Sequence, residues 1–194
     1  MSATRLGMFG GAFDPPHRAH VVLVGAAVAQ LALDELRVFP TGDAWHKARA
    51  LTPAADRLAM ARLAFEGLPA VTVDDRELRR SGPTYTIDTL RELRAERADA
   101  ELFLVMGEDQ ASAFTTWRDW RAIAAMATLA VARRPGAAAQ VLPPEVRTAA
   151  LEFEPMRDSA TDIRARLTRG QDVSQLVPAA VAGYIDRHCL YRTT

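Results

Sequence analysis

The stretch Gly10-Gly11-Ala12-Phe13-Asp14-Pro15-Pro16-His17-Arg18-Ala19-His20 gathers residue types suited to holding a phosphate chain. Paired glycines let the backbone approach a ligand and expose its amides. Asp14 can cap the helix that follows, with Pro15 at its first position. His17 and His20 then share one face of the first helical turn. A helix start carries partial positive charge and free amides, both attractive to phosphate. The same dipole disfavours imidazolium until a polyphosphate arrives, and two imidazoles there can donate hydrogen bonds to it. The segment lacks the Gly-Lys-Ser/Thr ending of a P-loop and the Gly-x-Gly-x-x-Gly of dinucleotide binders. Two other readings stay open: half-buried helix histidines, or a metal pair completed by Asp14 and His46.

Two further segments could add phosphate contacts. Pro40-Thr41-Gly42-Asp43-Ala44-Trp45-His46-Lys47 carries a histidine and the one lysine of a chain whose other basic residues are all arginine. A compact ammonium and a planar guanidinium are not interchangeable, so Lys47 stands out. Near the other end, Ser159 with Asp162 resembles a capping box, and Arg164 lies about one turn inside the helix it opens. Free amides, the hydroxyls of Ser159 and Thr161 and a guanidinium can converge there on one anion. A solvated loop and an ordinary helix start are the plainer readings.

The elements that must position these groups alternate between short apolar runs and helical patterns. Strands are expected at Arg5–Phe9, Leu36–Phe39, Val71–Val73, Leu102–Met106, Leu129–Ala132 and Leu151–Glu154. Helices are expected at about Pro15–Leu33, Pro53–Glu66 (stopped by Gly67), Tyr85–Arg97, Gln110–Met126, Thr161–Arg169 and Pro178–His188. The alternation implies an α/β fold, a doubly wound parallel sheet with helices on both faces. In such sheets ligands bind beyond the carboxyl ends of the strands, near the topological switch point. The loops Gly42–Leu51 and Pro135–Pro144 are expected to be the most mobile segments.

Composition narrows the classes. The chain has 194 residues, 24 basic and 24 acidic, with net charge zero. That balance disfavours a protein built to grip long nucleic acid or an anionic membrane. Half the residues are apolar (49%), which suits a packed core and excludes a disordered chain. The lone Cys189 permits no internal disulfide, and Val21–Ala29 is too short to span a bilayer. With no signal-peptide pattern at the N-terminus, a soluble cytoplasmic protein is expected. A single domain over 1–194, its C-terminal part helical from about 159, is the expected organisation.

Taken together, Gly10-Gly11-x-Phe13-Asp14-Pro15-x-His17-x-x-His20 and the late Ser159-x-Thr161-x-x-Arg164 resemble the His-x-x-His nucleotidyltransferase superfamily, with its Rossmann-like fold. Trp45-His46-Lys47, the run Gly82–Leu90, Gly107-Glu108-Asp109-Gln110 and Thr116-Trp117-Arg118-Asp119-Trp120 resemble bacterial nicotinate-nucleotide adenylyltransferases. These blocks are in order and span residues 5–167. The resemblance implies AMP transfer from ATP to nicotinate mononucleotide, with magnesium and no covalent enzyme intermediate, yielding deamido-NAD and pyrophosphate.

By the same resemblance, His17, His20, Lys47 and Arg164 would carry the chemistry. Gly10, Gly11, Phe13, Gly107, Asp109, Ser159 and Thr161 would complete the ATP site, with Asp109 on a ribose. His46, Lys47, Tyr85, Thr86 and Trp117 would bind the mononucleotide, Trp117 stacking on its ring and Tyr85 and Thr86 near its carboxylate. Against these stand plainer roles: Trp117 and Trp120 as core residues of one helix, Asp109 as a helix cap. Ala12, Thr41, Asp158 and Ala160 depart from the family pattern, which blurs single contacts more than the reaction. Nicotinamide mononucleotide or phosphopantetheine as acceptor, and a catalytically silent nucleotide binder, remain the alternatives. Partners are small molecules, with no nucleic acid or membrane, and oligomeric state is not legible.

Overall fold

A computed structural model of the chain describes residues 3–42, 50–133, 142–154, 156 and 159–192. Six strands form one all-parallel sheet: β1 (Arg5–Gly11), β2 (Glu35–Pro40), β3 (Val71–Val73), β4 (Glu101–Gly107), β5 (Ala127–Arg133) and β6 (Thr148–Glu152). Their spatial order is β3-β2-β1-β4-β5-β6, and every neighbouring pair is parallel. Chain order reverses direction between β1 and β4, so a crevice opens past their carboxyl ends.

Both faces of the sheet are covered, as parallel strands require. Phe9, Val38, Phe103 and Val105 point to one face, where α1 (Arg18–Gln30), α2 (Ala54–Phe65), α7 (Ala160–Thr168) and α8 (Ala179–Arg187) pack. Met8, Phe39, Leu104 and Met106 point to the other, under α4 (Thr86–Glu96), α5 (Glu108–Ser112) and α6 (Trp120–Met126). The strict alternation follows from the two-residue period of the strand. A short helix, α3 (Arg76–Arg79), and a 3-10 turn at Phe114–Thr116 complete the chain order.

The Rossmann-like arrangement expected from the sequence is present, with three local corrections. The first helix begins at Arg18 rather than at Pro15. Asp14 does not cap it, because its carboxylate accepts from the Thr52 amide (3.3 Å) and the Tyr191 hydroxyl (2.6 Å) instead. His17 is the cap residue, in extended conformation, and its N–H donates to His20 Nδ1 at 3.2 Å.

The expected helix Gln110–Met126 is broken. Thr116 returns its hydroxyl to the Ala113 carbonyl (2.7 Å), Trp117 is extended and Asp119 is left-handed at φ 52°. A hydroxyl that bonds its own turn competes with the helical ladder. Trp117 and Trp120 therefore do not share one helix.

The last strand lies three residues earlier at its start than Leu151–Glu154. Its Thr-Ala-Ala opening has little strand character of its own, and pairing with β5 over Leu129–Arg133 decides it. On the free edge, Gln30 donates to the Glu152 carbonyl (2.8 Å) and accepts from its amide (2.9 Å), closing one strand-pairing site. The two loops expected to be mobile lie largely outside the described residues.

Candidate active site

The loop after β1 is built around an unusual backbone position. Phe13 has a positive φ of 47° yet is fully buried. Its ring packs edge-on against His20 at 5.2 Å and Phe65 at 5.6 Å between centroids. His17 stacks on His20 at 3.6 Å, so the two imidazoles are adjacent and nearly parallel. Burial holds His17 neutral, with its pKa lowered from 6.5 to about 4. Among the described residues its Nδ1 has no hydrogen-bond partner.

The helix start has fewer open amides than its sequence implies. The Arg18 N–H donates to the Leu176 carbonyl (2.9 Å), and the His20 N–H to the His17 carbonyl (3.0 Å). Those two amides are therefore not open to an anion.

Arg164 reaches this loop from α7. Its Nη1 donates to the Asp14 carbonyl at 2.7 Å and its Nη2 to the Thr161 hydroxyl at 3.1 Å. Ser159 caps α7 by accepting from the Asp162 amide at 3.1 Å, as the capping-box pattern implies. Its hydroxyl proton is still able to donate. Phe13, His17, His20, Ser159, Thr161 and Arg164 thus gather on the α1/α7 side of the β1 loop.

A second cluster lies on the opposite side. A cavity of about 740 Å³ opens at the ends of β1 and β4, and Gly10, Gly11, Tyr85, Thr86, Asp109 and Trp117 line it. A Cβ at Gly10 would meet nothing within 4 Å, which leaves the backbone open there. Trp117 packs against Phe114 (5.9 Å between centroids) on the cavity wall. The size is that of a small-molecule site. Gly107 caps α5 with no side chain in its way, and so it, not Asp109, occupies the cap position.

Two residues central to this site carry no sequence signal that spacing alone reveals. Arg57, 3% exposed, donates to the carbonyls of Ala12 (3.1 Å), Thr41 (2.7 Å) and Thr52 (2.9 Å). One guanidinium thereby ties the β1 loop, the β2 loop and the start of α2. Glu77 lines the cavity, is 3% exposed and accepts from Thr89 Oγ1 at 2.7 Å. Burial pushes its carboxyl up to about 7. Gly42 packs so close to Glu77 and Thr84 that a Cβ would lie 2.2 Å from the Glu77 carbonyl and 2.8 Å from Thr84 Oγ1.

His46, Lys47 and Asp158 lie outside the described residues. Among the described residues, no three His, Cys, Asp or Glu side chains converge as metal ligands. The Asp14 carboxylate accepts from Tyr191 and Thr52.

The cytidylyltransferase-like family profile matches residues 8–166. The probable nicotinate-nucleotide adenylyltransferase of Albidiferax ferrireducens is 53% identical over 195 residues, covering 97% of this chain and 98% of that protein. Its namesake from Bordetella petrii is 46% identical, covering 97% and 99%. Among solved structures, the Plasmodium falciparum nicotinic acid mononucleotide adenylyltransferase complexed with NaAD superposes with a TM-score of 0.80. It is 16% identical, covers 97% of each chain, and shows a shared fold.

Proposed function

The chain belongs to the nicotinate-nucleotide adenylyltransferase family, and from that premise we propose that it joins ATP and nicotinate mononucleotide into deamido-NAD, releasing pyrophosphate. The observation that carries the reading is the meeting of Arg164 with the loop between the paired glycines and His17 and His20, across 150 residues of sequence.

A phosphate oxygen of the mononucleotide attacks the ATP α-phosphorus in line, one phosphoanhydride forming as another breaks. No strong base is needed, so positioning and charge stabilisation supply the catalysis. His17 and His20 hold the ATP phosphates, His20 at the α-phosphate where charge grows. Arg164, with Ser159 and Thr161, holds the departing pyrophosphate. Asp109 and Gly107 take the adenosine. Trp117 stacks on the pyridine ring beside Tyr85 and Thr86, and Lys47 with His46 neutralises the attacking phosphate.

His17 stays neutral in the empty site because protonation is costly where it is buried. Bound polyphosphate would offset that cost, so binding and charging of the imidazole pair are linked. Magnesium would enter with ATP, neutralising its phosphates, since such an ion keeps waters and shares ligands with its substrate.

We place the protein in the cytoplasm as one catalytic domain over 1–194. The placement is supported by its single cysteine, which permits no internal disulfide. Among the described residues no helix is long and apolar enough to cross a membrane.

The test is pyrophosphate release from ATP and magnesium, with nicotinate mononucleotide, nicotinamide mononucleotide and phosphopantetheine offered separately. Fast release with the nicotinate form alone is expected. Preference for another acceptor would overturn the substrate, and silence with all three in a folded, ATP-binding protein would overturn the reaction.

A further inference from the structure

Arg118 is the one positively charged side chain among the described residues lining the 740 Å³ cavity. It follows Trp117 directly, in the non-helical break before α6. Its guanidinium carbon lies 4.5 Å from the centre of the Tyr85 ring, a cation–π contact that fixes a planar group on the cavity rim. Among the described residues no carboxylate pairs with it. The adjacent acid, Asp119, turns into the left-handed conformation and pairs with Arg91 at 3.3 Å. By contrast, Arg37, Arg76 and Arg80, at the far edge of the sheet, each pair with acidic side chains. Among the described residues lining the cavity, the carboxyl groups are Glu77 and Asp109, and Tyr85 is the one phenol. Glu77 is pushed up to about 7 and is hydrogen-bonded to Thr89, so near neutral pH much of it carries no charge to oppose an incoming anion.

A guanidinium presents two parallel N–H donors that match the two oxygens of a carboxylate. A carboxamide offers only one oxygen, and its NH2 faces the guanidinium donors as a like group. We propose that Arg118 determines acid-over-amide specificity: held on Tyr85, it pairs with the carboxylate of a pyridine ring stacked on its neighbour Trp117. This rests on the reading that the mononucleotide ring enters this cavity. It moves the discrimination from hydroxyl and backbone donors at Tyr85 and Thr86 to a charge beside them.

The experiment compares kcat/KM for nicotinate and nicotinamide mononucleotides in the unaltered protein, Arg118→Ala and Arg118→Gln. Gln keeps part of the stem over Tyr85, and circular dichroism of both variants checks the fold. Binding of each mononucleotide by calorimetry gives a readout independent of turnover. The acid-to-amide ratio is expected to fall roughly ten- to hundredfold in both variants. Most of the loss should appear in KM and in the calorimetric affinity for the acid form. A folded variant that keeps the parental ratio overturns the role of Arg118 and leaves the reaction standing. An unaltered protein that adenylylates neither mononucleotide overturns both.

Discussion

Arg164 Nη1 lies 2.7 Å from the backbone oxygen of Asp14, a residue 150 positions earlier in the chain. The Asp14 carboxylate in turn accepts from Tyr191, close to the C-terminus, at 2.6 Å. The loop that bears the imidazole pair, near the start of the sequence, is therefore held by two groups from near its end. The backbone contact points Arg164 at that loop.

That geometry makes the guanidinium shape matter as much as its charge. Arg164→Lys keeps the charge but cannot bond both the Asp14 carbonyl and Thr161 Oγ1 while facing a phosphate. A fall in kcat of about tenfold or more is expected in steady-state pyrophosphate release, with the thermal midpoint little changed. A lysine variant with parental kcat would remove Arg164 from the leaving-group site.

His20 is expected to act where charge develops on the α-phosphate. In His20→Ala, kcat should fall roughly 10²–10³-fold, the scale of losing one donor to a developing anion. The far-ultraviolet circular dichroism should be unchanged, because His20 is only half-buried against Phe13. Near-normal turnover in the folded variant would rule out the phosphate role.

Trp117 forms a wall of the cavity and packs on Phe114. Trp117→Ala should raise KM for the mononucleotide by about tenfold or more, given the usual worth of a stacked aromatic surface. KM for ATP should hold. The reverse pattern, with weaker ATP binding and an unchanged mononucleotide constant, would contradict the assignment.

Two buried groups have opposite linkage to pH. His17 has its pKa lowered to about 4, so between about 6.5 and 4 the unfolded chain binds a proton that the folded protein does not. Its contribution to stability therefore falls as pH drops through that window. Glu77 has its pKa raised to about 7, so the folded protein keeps a proton that the unfolded chain releases above 4.5. Its contribution falls as pH rises from 4.5 to 7. Each slope is at most about 1.4 kcal/mol per pH unit. Urea unfolding between pH 5 and 6.5 should give a nearly flat profile from this pair. His17→Gln should then lose stability as pH rises, and Glu77→Gln should gain it. Parallel profiles for the two variants would sink the pairing.

Much of this protein is written in local patterns. The apolar runs mark the four inner strands, because a strand buried on both faces shows itself as a continuous hydrophobic segment, whereas the last strand starts where pairing with β5 puts it. The glycine pair, His17 and His20, and the Ser159–Arg164 helix start are legible because caps and helix-face spacing are short-range rules. What local rules do not contain is competition from distant partners. Asp14 could cap a helix, but Tyr191 and Thr52 claim its oxygens. The Gln110–Met126 pattern could run as one helix, yet it breaks at Trp117, which lines the cavity with Arg118 beside it. Arg57 and Glu77 carry no local signal that separates them from other charges, and packing makes one a clamp across the β1 and β2 loops and the other a buried carboxyl. Periodicity reports which face of an element is apolar. Which polar groups end up sharing a desolvated space is decided when those elements pack.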